Sequence, residues 1–461
     1  MKKRILSLLL SCLMLLALTS CASTPETPST DEEPLPPSTV TFSEKPVVYM
    51  FGDEHLGADA IPSANFYGNG FANYMSYYIY QLHSGKDVTI KNNVLNGADI
   101  KRIAGDISSA FRSTTADLAI LLLGDRDAMK NTDVATYKEE LGDALKSMDG
   151  KVKHILVVGP FTTSTDEAFK TSFAAYQQAA KEACEGVAAV QYFACQSWLD
   201  EWAAKGDLCK TVGSYSVLNP DTSMKLCAKV IQETHMTSLN TRTKSADTKK
   251  FSSDFVITFA GDSITDNGRD REISENMFLG QGYVAAFKAY LMAEYGIDTA
   301  PAVYNTGSSG ATATMMMQNF ENDVHATNPN YLVVMIGIND AYSEWTMNYG
   351  NETAYETKLT QMMHYYAKDY DKVLIIAPYY LEKPELTDSN RALYVQKYMD
   401  AAKRVADKFE NALFCDVQSA YDAYLDRIGY SQLGRLSPDK CHITTEGNWI
   451  LMDAILKALE I

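Results

Sequence analysis

Phe255-Val256-Ile257-Thr258-Phe259-Ala260-Gly261-Asp262-Ser263-Ile264-Thr265 runs from an apolar, β-rich stretch directly into a Gly-Asp-Ser turn. The apolar part is too short for a stable helix and shows no polar alternation, so it reads as a strand buried on both faces, as in a parallel sheet. A serine just past such a strand stands at the carboxyl edge of the sheet, where open α/β folds place their sites. Reading outward, Tyr331–Ile336, Val373–Ala377 and Ala412–Val417 also read as strands. So do Val47–Phe51, Leu118–Leu123, His154–Val158 and Val190–Phe193. Helical stretches such as Thr171–Cys184 and Arg391–Phe409 separate them. The alternation predicts parallel α/β sheets with right-handed crossovers.

Further polar signals follow these strands. Asn305-Thr306-Gly307-Ser308-Ser309-Gly310 comes first, then Gly337-Ile338-Asn339-Asp340 at the end of a strand, then Asp439-Lys440-Cys441-His442 ahead of a helix over Gly447–Leu459. Serine needs a base to become a nucleophile. His442 is the only histidine in the last ninety residues, and Asp439, three residues earlier, can orient it. Glycine lets a backbone N–H approach an oxyanion closely, and an Asn amide supplies a second donor. Each piece has a plainer reading: Asp262 as a helix N-cap, the glycines as turns, Asp439 as a cap of the last helix, His442 as a surface residue. The ordered set of roles outweighs these.

G-D-S-I, N-x-G-x-x-G, G-x-N-D and D-x-x-H, in that order, resemble the SGNH or GDSL-type hydrolases. The resemblance implies a flavodoxin-like three-layer α/β/α fold with a mainly parallel five-stranded sheet. It implies Ser263 as nucleophile, His442 as base and then acid, and Asp439 as its orienter. It implies an oxyanion hole from the N–H groups of Ser263 and Gly310 and the side chain of Asn339, with Asp262 steadying the turn. No metal and no organic cofactor are implied. Gly280-Gln281-Gly282-Tyr283-Val284-Ala285 matches a dinucleotide fingerprint but follows no strand, so it is set aside. Met315–Met317 reads as helix core.

The chain also repeats itself. Gly97 and Gly310, Gly124 and Gly337, and Asp127 and Asp340 each stand 213 residues apart; Gly52-Asp53 precedes Gly261-Asp262 by 209. Gly68-x-Gly70 matches Gly280-x-Gly282, Gln196-Ser197 matches Gln418-Ser419, and Pro220-Asp221 matches Pro438-Asp439. Two copies of one domain are expected, 47–238 and 253–461, each with its own core, joined by a polar linker at 239–252. In the first copy Glu54 stands where the serine should be, Arg126 for the Asn, and Met224 for the His; Gly97 and Asp221 remain. This copy is expected to keep the fold without the activity, and Glu54 and Arg126 are expected to pair in the vacated site. Its role stays open between packing partner and carbohydrate- or partner-binding module. Tyr74, Tyr77, Tyr78 and Tyr80 read as core of a buried helix.

The chain has 461 residues, 46% of them hydrophobic and 21% charged, which is ordinary globular composition and excludes wholesale disorder. Lys2, Lys3 and Arg4, the apolar Ile5–Leu18 and Leu18-Thr19-Ser20-Cys21 read as a signal peptide at 1–20 ending in a lipobox. Cys21 is then the lipidated residue, and the expected location is the extracytoplasmic face of the cell membrane; the plainer reading is an unlipidated signal peptide. The Pro-, Ser- and Thr-rich residues 21–46 read as a disordered tether. The net charge is −17, from 41 basic and 58 acidic residues. Removing the leader takes three basic residues and no acidic one, leaving 38 against 58, or −20. Such a field argues against nucleic acid as a partner. Cys415 and Cys441 either pair or, like Cys184, Cys195, Cys209 and Cys227, remain free buried thiols.

The resemblance extends to lipoprotein carbohydrate esterases. The expected activity is removal of acetyl or other short acyl groups from carbohydrate or another small ester, with Trp345, Tyr379 and Tyr380 walling the pocket. The rivals are a lipase or phospholipid esterase and a non-catalytic glycan-binding lipoprotein; transfer of the acyl group to a sugar hydroxyl also stays open. The sequence leaves the oligomeric state unassigned.

Overall fold

The computed structural model describes residues 40–61, 66–83, 87–234, 236–238, 251–273, 277–348, 350–382 and 390–461. The expected leader, Cys21 and most of the expected tether and linker lie outside them. The first half builds β1 (Val47–Gly52), α1 (Phe71–Leu82), β2 (Thr89–Val94), α2 (Ile100–Ala110), β3 (Ala116–Leu122), α3 (Val134–Met148), β4 (Val152–Val158), α4 (Glu167–Cys184), β5 (Val190–Phe193) and α5 (Pro220–Thr234). The second half follows with β6 (Val256–Gly261), α6 (Tyr283–Tyr295), β7 (Ala302–Asn305), α7 (Ala313–Asp323), β8 (Tyr331–Met335), α8 (Ile338–Met347) and α9 (Glu352–Tyr365). It ends with β9 (Lys372–Ile376), α10 (Arg391–Ala406), β10 (Ala412–Cys415), α11 (Val417–Ile428) and α12 (Thr445–Leu459). Shorter elements are named by their residues.

Each half holds a five-stranded, wholly parallel sheet in the same order, β2-β1-β3-β4-β5 and β7-β6-β8-β9-β10. This is the doubly wound order whose ligand crevice lies outside the carboxyl ends of the strands. The register is shared too: Phe259 pairs with Asn305 in the second sheet, and Met50 with Asn92 in the first. Asn92 therefore stands in the place of Asn305, again 213 residues earlier.

The pleat sorts the side chains of β1. Tyr49 and Phe51 face one side, where Ile103, Ile107, Leu141, Leu145 and Phe173 from α2, α3 and α4 close a core belonging to the first half alone. Val48 and Met50 face the other side, into a core that continues without a break through the second half. The halves thus share a core, and both belong to one compact unit.

The shared layer consists of α1 and α5 against α6 and α12. All twelve residues of α1 are buried, the expected tyrosines among them, because it lies between its own sheet and the other half. Ten of the thirteen residues of α6 are buried for the same reason. Trp449 on α12 is the centre of the seam. Its ring stacks on Tyr80 at 5.3 Å and meets Tyr67 edge-on at 5.9 Å, and its Nε1–H donates to Ser76 Oγ at 3.1 Å. The Tyr67 N–H donates to Thr445 Oγ1 (3.0 Å), and Gln232 Nε2 donates to the Met292 carbonyl (2.9 Å). All six described cysteines are unpaired, so Cys415 and Cys441 form no disulfide. Burial pushes both thiols up to about 12.

Candidate active site

Strand β6 delivers its chain to the sheet edge as Gly261-Asp262-Ser263. Asp262 does cap the one-turn helix Ser263–Asp266, accepting the Ile264 N–H at 3.0 Å, and this fixes Ser263 as the first residue of the turn. The capping reading and the active-site reading of Asp262 therefore hold together. Asp262 is buried, which pushes its carboxyl up to about 7.

The histidine arrives from the loop ahead of α12. His442 Nε2 lies 3.0 Å from Ser263 Oγ, and His442 Nδ1 lies 2.7 Å from Asp439 Oδ2. Asp439 Oδ1 also accepts the N–H groups of Cys441 (3.0 Å) and His442 (2.7 Å). Burial acts to raise the Asp439 carboxyl, but the His442 side chain and these N–H groups outweigh it and hold the pKa below the usual range. Thr444 caps α12, so Asp439 is not its cap. The loop is tied down from β9: the Tyr379 hydroxyl donates to the Cys441 carbonyl (3.0 Å) and the Leu381 N–H to that of Lys440 (2.9 Å). Tyr379 is buried beneath the loop and is not among the residues lining the cleft beside His442.

The residues expected to supply the oxyanion donors follow β6, β7 and β8 at the same sheet edge. Gly307 must be glycine, because a Cβ there would meet the Asp266 backbone N at 2.3 Å. Gly310 has a left-handed φ of 79°. Asn305 anchors the start of this loop: its Nδ2 donates to the carbonyls of Thr265 and Leu279, each at 2.7 Å, and its Oδ1 accepts the Gly307 N–H at 3.0 Å. From the end of β8, Asn339 Nδ2 donates to the Ala311 carbonyl at 3.0 Å, which leaves its second N–H for a ligand. Asp340 accepts the Ala313 N–H at the start of α7, and burial pushes its carboxyl up to about 6.

Beside His442 opens a cleft of about 270 Å³, walled by Asn339, Tyr342, Trp345, Tyr380, Tyr394 and Arg391 among others. The Arg391 guanidinium stacks 4.1 Å over Trp345 and donates to the Tyr380 hydroxyl at 2.9 Å. Trp345 and Tyr380 are where the sequence places them. Tyr394 and Arg391 open a helix and carry no sequence signal of their own.

The first half keeps the frame and fills it differently. Asp53 caps Glu54–Leu56 as Asp262 caps its turn, and Asp127 accepts the Ile100 N–H (2.9 Å) as Asp340 accepts that of Ala313. Glu54 is buried; one carboxylate oxygen accepts the Gly97 N–H at 2.8 Å and the other is bonded to Arg126. The expected pair is present, and the Glu54 partners Gly97 and Arg126 are the counterparts of Gly310 and Asn339. The hairpin Cys209–Val212 and Tyr215–Leu218 lies over it, with Tyr215 beneath the Arg126 guanidinium and the Leu218 N–H donating to His55 Nδ1. The Pro220-Asp221 match does not carry over to structure. Asp221 lies in the first turn of α5 and pairs with Lys225, and Met224 is buried within that helix, whereas Asp439 lies in a loop ahead of its helix. Asn92 is a relic the sequence reading passes over; neither its Oδ1 nor its Nδ2 has a partner among the described residues.

A serine, a histidine and an aspartate in hydrogen-bond sequence at the carboxyl edge of a parallel sheet define a nucleophilic hydrolase site. Residues 259–450 match the model of the GDSL-like lipase/acylhydrolase family. An acetylxylan esterase of Geobacillus stearothermophilus is 31% identical over 217 residues, 46% of this chain and 96% of that protein. The crystal structure of an acetylxylan esterase from Geobacillus stearothermophilus aligns at 28% identity over 46% of this chain and 97% of that one, with a TM-score of 0.42. An α/β hydrolase from the metagenome of Lake Arreo, Spain, aligns at 29% identity over 45% and 96%, with a TM-score of 0.41. The chain belongs to the GDSL-like lipase/acylhydrolase family. It is a serine carboxylic ester hydrolase.

Proposed function

We propose that the protein removes acetyl groups from acetylated carbohydrate, with Ser263, His442 and Asp439 as its catalytic residues. His442 Nε2 takes the Ser263 proton as Oγ attacks the ester carbonyl, and Asp439 stabilises the imidazolium formed. The tetrahedral oxyanion is held by the N–H groups of Ser263 and Gly310 and by Asn339 Nδ2; loss of one such donor costs about 10²–10³ in kcat. His442 returns the proton to the leaving alkoxide, and the acetyl-enzyme is then hydrolysed by water with His442 again as base. The unbroken chain Ser263 Oγ–His442 Nε2, His442 Nδ1–Asp439 Oδ2 is the observation that carries the chemistry.

The substrate class rests on the acetylxylan esterase relative and on the aromatic cleft beside His442. That cleft adjoins His442, and its Trp345, Tyr342 and Tyr394 rings suit a sugar ring. Lys2–Cys21 supports an enzyme secreted and lipid-anchored at Cys21 outside the cytoplasm. The first half, with Glu54 in its cradle, is proposed to be inactive. A chain-length series of p-nitrophenyl esters tests the reading together with Ser263→Ala. Acetate should be the best substrate, and Ser263→Ala should abolish turnover. A preference for long acyl chains would establish the lipase instead, and acetate hydrolysis that survived Ser263→Ala would defeat the site.

A further inference from the structure

The Ser308–Gly310 segment that presents an oxyanion donor is exposed, and around Gly310 there is no neighbouring atom within 4 Å of where a Cβ would stand. Packing therefore does little to hold the donor in place, and its position rests on hydrogen bonds. Ser308 N–H reaches the Gly261 carbonyl (2.9 Å), and Asn339 holds the Ala311 carbonyl (3.0 Å). Ser309, the residue before Gly310, is held by one group only among the described residues. Asp266 Oδ2 accepts both the Ser309 N–H (3.0 Å) and the Ser309 hydroxyl (2.6 Å), and Arg271 Nη2 donates to the same oxygen at 2.8 Å.

Asp266 closes the one-turn helix that Ser263 opens, and it is fully buried. We propose that Asp266 is a positioning residue for catalysis, a carboxylate strut that sets the distance between the Ser263 nucleophile and the Gly310 oxyanion donor. This rests on the assignment of Ser263 and Gly310 above. Two observations favour a role in the site over a role in packing. Asp266 Oδ1 is buried with no partner among the described residues, an arrangement that costs stability. In the first half, where Glu54 fills the cradle, the position 209 residues earlier is Gly57, and Asn96 instead donates from its side chain to the Ala58 carbonyl. The strut is missing from the half that has no oxyanion to hold.

The test uses the full chain with p-nitrophenyl acetate, and an arylboronic acid as a tetrahedral anion mimic. Asp266→Ala should lower kcat about 30-fold while KM stays within about threefold, part of the 10²–10³ that a lost donor costs. The boronate inhibition constant should rise in proportion to the fall in kcat, which a loss of fold stability alone would not produce. Asp266→Asn should lie between, and Ser309→Ala, which removes only the hydroxyl bond, should lose a few-fold in kcat. If Asp266→Ala does not fold, Asp266→Asn and Ser309→Ala carry the test. Folded variants with kcat and boronate affinity within twofold of the parent would overturn the strut. Ser263→Ala in the same assay separates the failures: if it stays active, the site assignment falls, and if it is dead while the Asp266 variants are normal, only the strut falls.

Discussion

Trp449→Ala strikes the seam between the halves at its centre. The side chain is 3% exposed, touches Tyr80 and Tyr67, and donates to Ser76. Truncating a buried tryptophan costs about 3–5 kcal/mol through lost transfer energy and the cavity left behind. The lost Nε1–H bond adds about 1 kcal/mol, and the terms overlap, so about 4 kcal/mol is expected. Trp449→Phe keeps most of the buried area and should cost about 1–2 kcal/mol. Urea unfolding followed by far-UV circular dichroism and by residual esterase activity measures both. Because the core runs through both halves, the two signals should fall together in one transition in the parent and move together in the variants. A Trp449→Ala shift below about 1 kcal/mol, or activity lost in a separate transition that leaves half of the dichroism signal standing, would refute the shared core.

Arg126→Met should destabilise the protein by about 3 kcal/mol by stranding the buried Glu54 carboxylate, with kcat on p-nitrophenyl acetate within twofold of the parent; Glu54→Gln in the same chain should restore most of the loss. Asp53 is raised by burial to about 7, so between pH 4 and pH 7 the folded state keeps a proton that the unfolded chain has released. Stability contributed by that proton is lost as pH rises through 7, about 3 kcal/mol between pH 5 and pH 8. His55, held down to about 4 by burial, acts with the opposite sign over the lower part of this window. The quantity to read is therefore the difference between parent and Asp53→Asn, which should shrink the fall; identical pH profiles would count against a buried acid at Asp53. A fragment beginning at residue 251 would bare one side of α6 and of α12, and gel filtration should find it aggregated; a soluble, monomeric, fully active fragment would contradict this.

The central strands were legible because β1, β3, β4, β6 and β8 are apolar runs closed by glycine, and β9 is an apolar run closed by Ala377-Pro378. The edge strands β2 (Thr89–Val94) and β7 (Ala302–Asn305) were not, because each carries asparagine and few branched apolar residues. The hairpin Cys209–Leu218 has mixed polarity and escaped for the same reason. Within the site, Ser263, His442, Asp439 and the glycine loop were readable from ordered motifs. Asp266 stood in plain view four residues after Asp262, but an acid at the end of a turn carries no sign of what it will reach. The Pro220-Asp221 match misled because a two-residue identity says nothing about whether a helix begins there. The repeat itself gave no warning that its copies would merge their cores; that depends on α1 and α6, which carry few charged residues and are buried on nearly every side.

The Glu54 carboxylate, with one oxygen on the Gly97 N–H and the other on Arg126, gives the chain an inhibitor complex of its own making. The carboxylate oxygen sits on the Gly97 N–H, the counterpart of the Gly310 N–H proposed to hold the oxyanion in the second half. A small planar carboxylate reaching from the serine position is thus a starting shape for a ligand of the second half, with Asn339 in place of the guanidinium as the partner it must satisfy.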